Sequence, residues 1–583
     1  MRQFFKILFA CFFALVLFIG VILLTVTGIV AGLSSGSEKK IVDDHSILRI
    51  DLNQEIKEQS REGLLHIDMV GDSEVLGLND IVRSLHEAAN DDKIKGVFLT
   101  LGTCPSGWAT LQEIREALLD FKQSKKFIVA YGEVADQKSY YVGSAADQIF
   151  LHPSGMIEFK GLAINSMFFK GALDKLEITT EAFHCGKFKG AYEPFKLEKF
   201  SDPNRYQLGV LLQDMYAAFL SAVSEKTKID TVTLARMANQ GTIRFPQDAL
   251  ANHFVDALLY SDSVNHFLQQ KIQVSTKEKL NWVDCMEYAS SLNASSKSKN
   301  KVAILYAEGE IHDGEGNDGI YSETFVRNIR KISEDDNIKA VVLRVNSPGG
   351  SAMASEVIYH ELAELKKKKP VVISMGNYAA SGGYYISCAG DSIFADNNTL
   401  TGSIGVVGVM FNIEKMMKNK LGVTFDQVKT SEYADFPNMN REMTESERTW
   451  IQGYLDTTYV LFKSRVASAR HLTMEEVEDL AQGHVYSGKL ALPLKLIDGF
   501  GNKERAIACA SGMAKVKDYR LVEYPKPMSK LDEILQSISG EKREEAMAKK
   551  ILGADYVVYK ELKKIREQEN KIQAILPFTL DIR

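Results

Sequence analysis

The stretch 335–343, DDNIKAVVL, repeats 91–99, DDKIKGVFL, and the stretch 384–394, YYISCAGDSIF, repeats 140–150, YYVGSAADQIF. From Asp91 to Phe150 and from Asp335 to Phe394 the chain aligns with itself without a gap at a constant offset of 244, with about 18 identities in 60 positions. Internal repetition on this scale is read before any local motif, because each copy is one structural unit. Only the second copy contains Ala380-Ser381-Gly382-Gly383; the first has Gln137 where the second has Ser381. The duplication has therefore kept one candidate nucleophile.

Working outward, each copy alternates short β-rich apolar runs with helical patterns, as parallel strands joined by crossover helices do. In the second copy residues 302–306, 340–345 and 370–374 read as strands, with helices near 322–332 and 354–367. In the first, residues 96–101 and 127–131 are the matching strands. The expected fold class is α/β: tandem repeats over 46–289 and 302–525, joined by a Ser, Asn and Lys rich linker at 290–301. Asp248-Ala249 before Val255-Asp256 resembles Lys489 to Ala491 before Ile497-Asp498, so the repeats share later punctuation as well. A charged, helix-prone extension is expected over 526–583, its helical run reaching Gln573.

Residues 7–33 are uncharged and mostly apolar, longer than the ~20 residues a spanning helix needs. They read as a transmembrane anchor. Arg2, Lys6 and the amino terminus precede it, which favours a short cytoplasmic end at 1–6 and a body on the far side, although Lys39 and Lys40 flank the other end. The alternative is a cleaved signal peptide, whose apolar region is usually shorter, about 7 to 15 residues.

A formal net charge of -6 gives no global electrostatic reason to expect nucleic acid. The run Lys366 to Lys369 reads as a solvated helix end before a strand. Six scattered cysteines form no CxxC pair, which argues against a zinc site or a dense disulfide framework and leaves the compartment open. His360-Glu361 with Glu364 lacks the second histidine of a His-Glu-x-x-His zinc motif and reads as a helix face.

The chemistry concentrates in the second copy. Asn346-Ser347-Pro348-Gly349-Gly350-Ser351 follows a predicted strand and precedes a helix, so its glycines allow close backbone approach and aim amide N–H groups at an anion. Ser381 falls where Gly382-Gly383-Tyr384-Tyr385 begins a helix, so the Gly382 N–H is placed to help hold an oxyanion. A lone serine there is also an ordinary N-cap. As a nucleophile it needs a base, and histidine is badly placed: the first after Ser381 is His471. Gly-x-Ser-x-Gly is absent around Ser381, and Tyr384 stands where a Ser-x-x-Lys motif would have lysine.

These residues resemble the signal peptide peptidase A serine peptidases, in their long two-repeat membrane-bound form. The blocks that carry the resemblance are RVNSPGGSAMASEVI from Arg344, GNYAASGGYYIS from Gly376, LTGSIGVVGV from Leu400 and GKFKGAYEPF from Gly186. The resemblance implies a fold similar to the caseinolytic peptidase and crotonase superfamily and a dyad of serine and lysine, one from each repeat. Carried onto this chain, the serine is Ser381 (nucleophile) and the lysine is Lys189 (general base and acid). Lys187 is a close competitor, which the Glu193-Pro194-Phe195 register disfavours. At an offset of 244, Lys189 corresponds to Tyr433, or to Ala434 if Phe188 is matched with Tyr433, and neither is lysine. A complete site then requires both halves to meet.

The implied reaction has neutral Lys189 deprotonate Ser381, with Gly382, Gly349 and Gly350 forming the oxyanion hole and no metal or organic cofactor required. An unperturbed lysine titrates near ~10.4, so burial or a nearby positive charge, with Lys187 as candidate, must lower Lys189. The resemblance further implies cleaved signal peptides and other hydrophobic or unfolded peptides as substrates. It also implies contact with the lipid bilayer through the N-terminal helix, a bacterial inner-membrane location with the catalytic body on the periplasmic side, and a homotetramer. Two alternatives stand beside it: a crotonase-like acyl-coenzyme A enzyme, which gives Ser381 no necessary role, and a catalytically silent membrane scaffold.

Overall fold

The computed structural model describes residues 42–60, 75–292, 298–525 and 572–576, together with scattered positions between 3 and 21 and residue 548. Among the described residues no helix is long and apolar enough to cross a membrane, and most of the expected anchor at 7–33 lies outside them. Residues 293–297 of the linker and most of the 526–583 extension also lie outside them.

In the first half, strands β1 (Ser46–Asp51), β2 (Ile94–Thr100), β3 (Phe127–Ala135) and β4 (Gln148–Ile157) pair in parallel. β5 (Thr179–His184) leaves this sheet, while β6 (Ala257–Leu258) and β7 (Asn281–Asp284) complete it in the order β6-β4-β3-β2-β1-β7. Crossovers run through α1 (Leu78–Asn90), α2 (Trp108–Phe121) and the short α3 (Gln137–Gly143). On α1, Leu78, Ile81, Leu85 and Ala88 are buried at helical spacing, so the apolar stripe faces the sheet.

The second half repeats the plan with β8 (Lys301–Glu308), β9 (Ile311–His312), β10 (Ile320–Tyr321), β11 (Ile338–Ser347), β12 (Gly349–Ser351), β13 (Val371–Ala380), β14 (Leu400–Gly402), β15 (Val407–Asn412), β16 (Val485–Ser487) and β17 (Arg520–Tyr524). Its main sheet runs β16-β14-β13-β11-β8-β17. The expected helices are α5 (Ser322–Glu334) and α6 (Ala352–Lys366), and α7 (Gly382–Ser387) follows Ser381; between the halves lies the long α4 (Asp202–Thr227).

The offset of 244 survives into three dimensions. β2 corresponds to β11, α2 to α6 and β3 to β13, and the later punctuation has one structural cause. Asp256 and Asp498 each accept the backbone N–H of an equivalent strand residue, Ile149 at 2.6 Å and Ile393 at 2.7 Å. Tyr140 and Tyr384 likewise donate to Phe254 O and Leu496 O, both at 2.8 Å.

The halves interlock. The first half's core takes in Ala380, Leu400, Val485 and Leu576, while the second's takes in Phe183 and Cys185. A third sheet, β10-β9-β12-β18-β15-β5, where β18 is Ile572–Ile575, mixes segments from across the chain. In it β5 pairs antiparallel with β15, and β18 sits between β12 and β15. The expected helical run therefore does not extend to Gln573: residues 572–575 are a strand, because two open sheet edges satisfy their backbone groups from both sides.

One further reading changes. Lys366, Lys367 and Lys368 are exposed as expected, but Lys369 is buried, with its ammonium donating to Ile332 O at 2.6 Å and Asp335 O at 2.7 Å. The five described cysteines are free thiols.

Candidate active site

Ser381 stands at the junction of β13 and α7 with φ of 55°, a left-handed conformation that non-glycine residues adopt at an energetic cost. Two backbone bonds hold it there: its N–H donates to Gly402 O at 2.8 Å, and its carbonyl accepts from Tyr385 N at 2.8 Å. The hydroxyl does not cap α7. The ordinary N-cap role is therefore vacant, and the hydroxyl points elsewhere.

It points at Lys189. The amine Nζ lies 2.7 Å from Ser381 Oγ and 3.0 Å from both the carbonyl and the hydroxyl oxygen of Ser403. Both Lys189 and Ser381 are fully buried. Lys189 forms no ion pair among the described residues, and burial alone pushes its pKa well below the ordinary lysine value. Lys187, the competitor, is exposed with its Nζ 5.2 Å from the Phe188 ring centre, and it takes no part in lowering Lys189.

The loop that carries Lys189 is moulded onto the second half. Phe188 N–H donates to Gln482 O at 2.9 Å, and Gln207, from α4, donates to Phe188 O while accepting from Val485 N, each at 3.0 Å. A Cβ on Gly483, whose φ is +74°, would lie 2.6 Å from Lys189 Cβ. Only glycine lets the two loops approach this closely.

The turn expected to bind an anion borders the same hydroxyl. Gly349 has φ of +102°, and a Cβ there would sit 2.8 Å from Gly382 N, so the Pro-Gly-Gly turn and the start of α7 face each other. One histidine in this wall is His484, whose carbonyl accepts from Ser403 N at 2.7 Å. Its ring packs on Phe188 and Tyr486, and its pKa is pushed down to about 4 by burial and then by Lys187. Arg344, which opens the first resemblance block, is completely buried and binds Glu58 Oε2 at 2.9 Å, Glu113, Ser374 Oγ and Met375 O.

In the first copy, Gln137 fills the place of Ser381. Its side-chain oxygen accepts from Lys160 N and Gly161 N, both at 3.0 Å, and its amide donates to Gly161 O at 2.9 Å. That position has become a backbone clamp.

Peptidase family S49 matches residues 120–275 and 363–517, one match in each half, and the Clp protease family matches residues 293–399. The chain belongs to peptidase family S49. It is 36% identical to Protease 4 of Salmonella typhi over 80% of this chain and 76% of that protein, and 32% identical to Protease 4 of Haemophilus influenzae over 84% and 83%. It is also 33% identical to the chloroplastic serine protease SPPA of Arabidopsis thaliana over 79% of this chain and 70% of the relative. Family membership makes this S49 protein a serine peptidase, and the tandem Clp-protease-like architecture agrees with the fold that the resemblance implied.

Two features escaped the sequence reading. Ser403 lies inside the quoted block from Leu400, but nothing in a single hydroxyl marks it as a lysine partner. Strand β18 was hidden in a segment with helical propensity, and its only signal was the short apolar run at 574–577.

Proposed function

We propose that this S49 peptidase is a membrane-anchored endopeptidase in which Ser381 is the nucleophile and Lys189 the general base and acid. The observation that carries the reading is the 2.7 Å approach of a buried, uncompensated lysine to a serine hydroxyl that caps no helix. A neutral amine suits its three contacts: two N–H bonds go to Ser403 O and Oγ, and the lone pair accepts the Ser381 proton.

Ser381 Oγ attacks the peptide carbonyl as Lys189 takes its proton. The backbone N–H groups of Gly382 and of the Gly349-Gly350 turn face the developing oxyanion, where preorganised donors act most strongly. Lys189 returns the proton to the leaving amine, and water, deprotonated in turn by Lys189, releases the acyl group. His484 is no rival base, since its ring is held between aromatic neighbours.

Cleaved signal peptides and other hydrophobic or unfolded peptides are the proposed substrates. The name of one relative, a putative signal peptide peptidase SppA of Enterococcus faecium, and the apolar run at 7–33 support that class. The same run supports anchoring in a bacterial inner membrane with the body outside the cytoplasm. Assembly into a homotetramer draws support from the apolar side chains Leu421, Val423, Phe425 and Val428, which are exposed among the described residues.

Fluorophosphonate labelling tests the dyad. We expect the wild type to label and to hydrolyse casein, with Ser381→Ala and Lys189→Ala each losing both by about 10³-fold or more. Labelling of Ser381 at an undiminished rate in Lys189→Ala would sink the assignment of the base.

A further inference from the structure

One side chain spans the two halves beside the dyad. Gln207, completely buried on α4, donates from Nε2 to Phe188 O and accepts at Oε1 from Val485 N–H, each at 3.0 Å. A carbonyl only accepts and an N–H only donates, so these two partners fix which way the carboxamide points. Phe188 immediately precedes Lys189. Val485 pairs with Gly402 across β16 and β14, and the Gly402 carbonyl holds Ser381 N–H at 2.8 Å. One planar amide therefore bridges from the backbone beside Lys189 to the strand pair that seats Ser381.

The amide is itself held. Its Nε2 also donates to Asn204 Oδ1, and Asn204 Nδ2 donates to the Glu193 carboxylate. Glu193 accepts in addition from Ser201 Oγ at 2.5 Å and Ser201 N–H at 3.1 Å. Asn204 is completely buried and Glu193 nearly so. Donors thus run in one direction, from Gln207 through Asn204 to an acidic side chain, and bonds in such a chain strengthen one another. A Cβ on Gly190, the residue after Lys189, would lie 2.1 Å from Asn204 Nδ2, so the lysine loop is pressed directly onto this chain.

The second copy shows that the helix does not need the glutamine in order to fold. Its counterpart of α4 is α8 (Glu445–Arg470), also 26 residues long and also N-capped by a hydroxyl, Thr444 in place of Ser201. Counted from the helix start, Gln207 of α4 corresponds to Trp450 of α8, which is exposed. The copy without the lysine lacks the buried amide as well.

We propose that Gln207 is a positioning residue that sets the separation of Lys189 from Ser381, with Asn204 and Glu193 holding its carboxamide in place. The inference rests on the Ser381 and Lys189 reading above. The bonds of Gln207 go to backbone groups and to Asn204, so it acts on proton transfer through the placement of the base.

Casein kinetics between pH 5 and 10 and fluorophosphonate labelling of the full chain test this, with circular dichroism and urea midpoints reporting the fold. Gln207→Met, of similar length but unable to make these bonds, should lower kcat by roughly 10²-fold, the cost of a displacement of ~1 Å at the base, with KM unchanged. Its rising pH limb should move to higher pH, since a loosened loop admits water to an amine that burial keeps neutral. Gln207→Glu has the shape of glutamine and keeps the acceptor for Val485 N–H. Its rate relative to wild type should fall as pH rises, because ionisation sets a second oxygen against Phe188 O and Asn204 Oδ1. A folded Gln207→Met with the kcat and pH limb of wild type overturns the inference and leaves the dyad standing, as does a Gln207→Glu rate ratio that is flat with pH. Failure of both variants to fold also overturns it, since Gln207 would then be a structural residue. Undiminished labelling in Lys189→Ala, run in parallel, defeats the dyad reading and this inference together.

Discussion

A lysine buried without a carboxylate is costly to charge, and in the proposed dyad that cost is the source of its reactivity. Activity is expected to rise with pH along one limb as Lys189 loses its proton. His484, already neutral above about 4, adds nothing to that limb, and a kcat/KM profile between pH 5 and 10 checks it. Stability follows the same titration. In the folded chain Lys189 loses its proton well below 10.5, whereas in the unfolded chain it keeps it to about that value. Between the two pKa values the unfolded state therefore binds more protons, so the Lys189 contribution to stability rises with pH across that window and is unfavourable below it. Lys189→Met should be inactive yet more resistant to urea than wild type at neutral pH, with the difference shrinking as pH rises towards 10.5. Equal urea midpoints at all pH values would refute this. Ser403 holds the amine through one side-chain bond of 3.0 Å. One such bond is worth about 1 kcal/mol, so Ser403→Ala should lower kcat roughly fivefold with KM little changed.

At the scale of elements, a constant offset of 244 was enough to anticipate β2 with β11, α2 with α6 and β3 with β13, because matching hydrophobic periods impose matching elements. The Ser381 junction was legible for the same reason. Strand β18 was not, since strand formation at 572–575 depends on two sheet edges far away in sequence and not on local propensity. The approach of the Lys189 loop to Gly483 was equally hidden, because a lone glycine carries no sign of what it must admit. That contact is testable. Gly483→Ala forces a Cβ to within 2.6 Å of Lys189 Cβ at a φ of +74°, and should cost about 1–3 kcal/mol of stability. A displacement of ~1 Å at the base can cost about 10²-fold in rate, so fluorophosphonate labelling should slow by that order. Gly209→Ala in α4, where nothing lies within 4 Å of the added Cβ, is the control. It should leave labelling unchanged and gain roughly 0.5–1 kcal/mol.

For the whole molecule, the proposed nucleophile and base come from opposite halves and are only as well registered as the seam between those halves. Glu58 and Glu113 of the first half meet Arg344 of the second in a completely buried cluster, with Asp396 beside it. Arg344 also ties β11 to β13 through Ser374 and Met375, the strands that lead to the Gly349 turn and to Ser381. Burial, and next the charge on Glu113, raise the Asp396 carboxyl well above the carboxylate range, while burial raises Glu113 as well. The two carboxyls titrate as a pair and keep a proton that the unfolded chain releases near 3.8. Above that value the folded state binds more protons than the unfolded one, so this contribution is complete at low pH and is lost as pH rises through the pair's folded pKa values, at up to about 1.4 kcal/mol per pH unit. Asp396→Asn cannot take on that charge and retains a polar group of the same shape. Its urea midpoint should fall less than that of wild type between pH 5 and pH 8, and its labelling by fluorophosphonate should hold over the same range. Parallel midpoints for the two proteins would show that the seam carries no proton. Arg344→Leu gives the complementary result, since it leaves the carboxylates buried without their cation. Loss of such a partner costs about 3–5 kcal/mol, and because both side chains of the proposed dyad are set by the same seam, labelling of Ser381 should fall with stability.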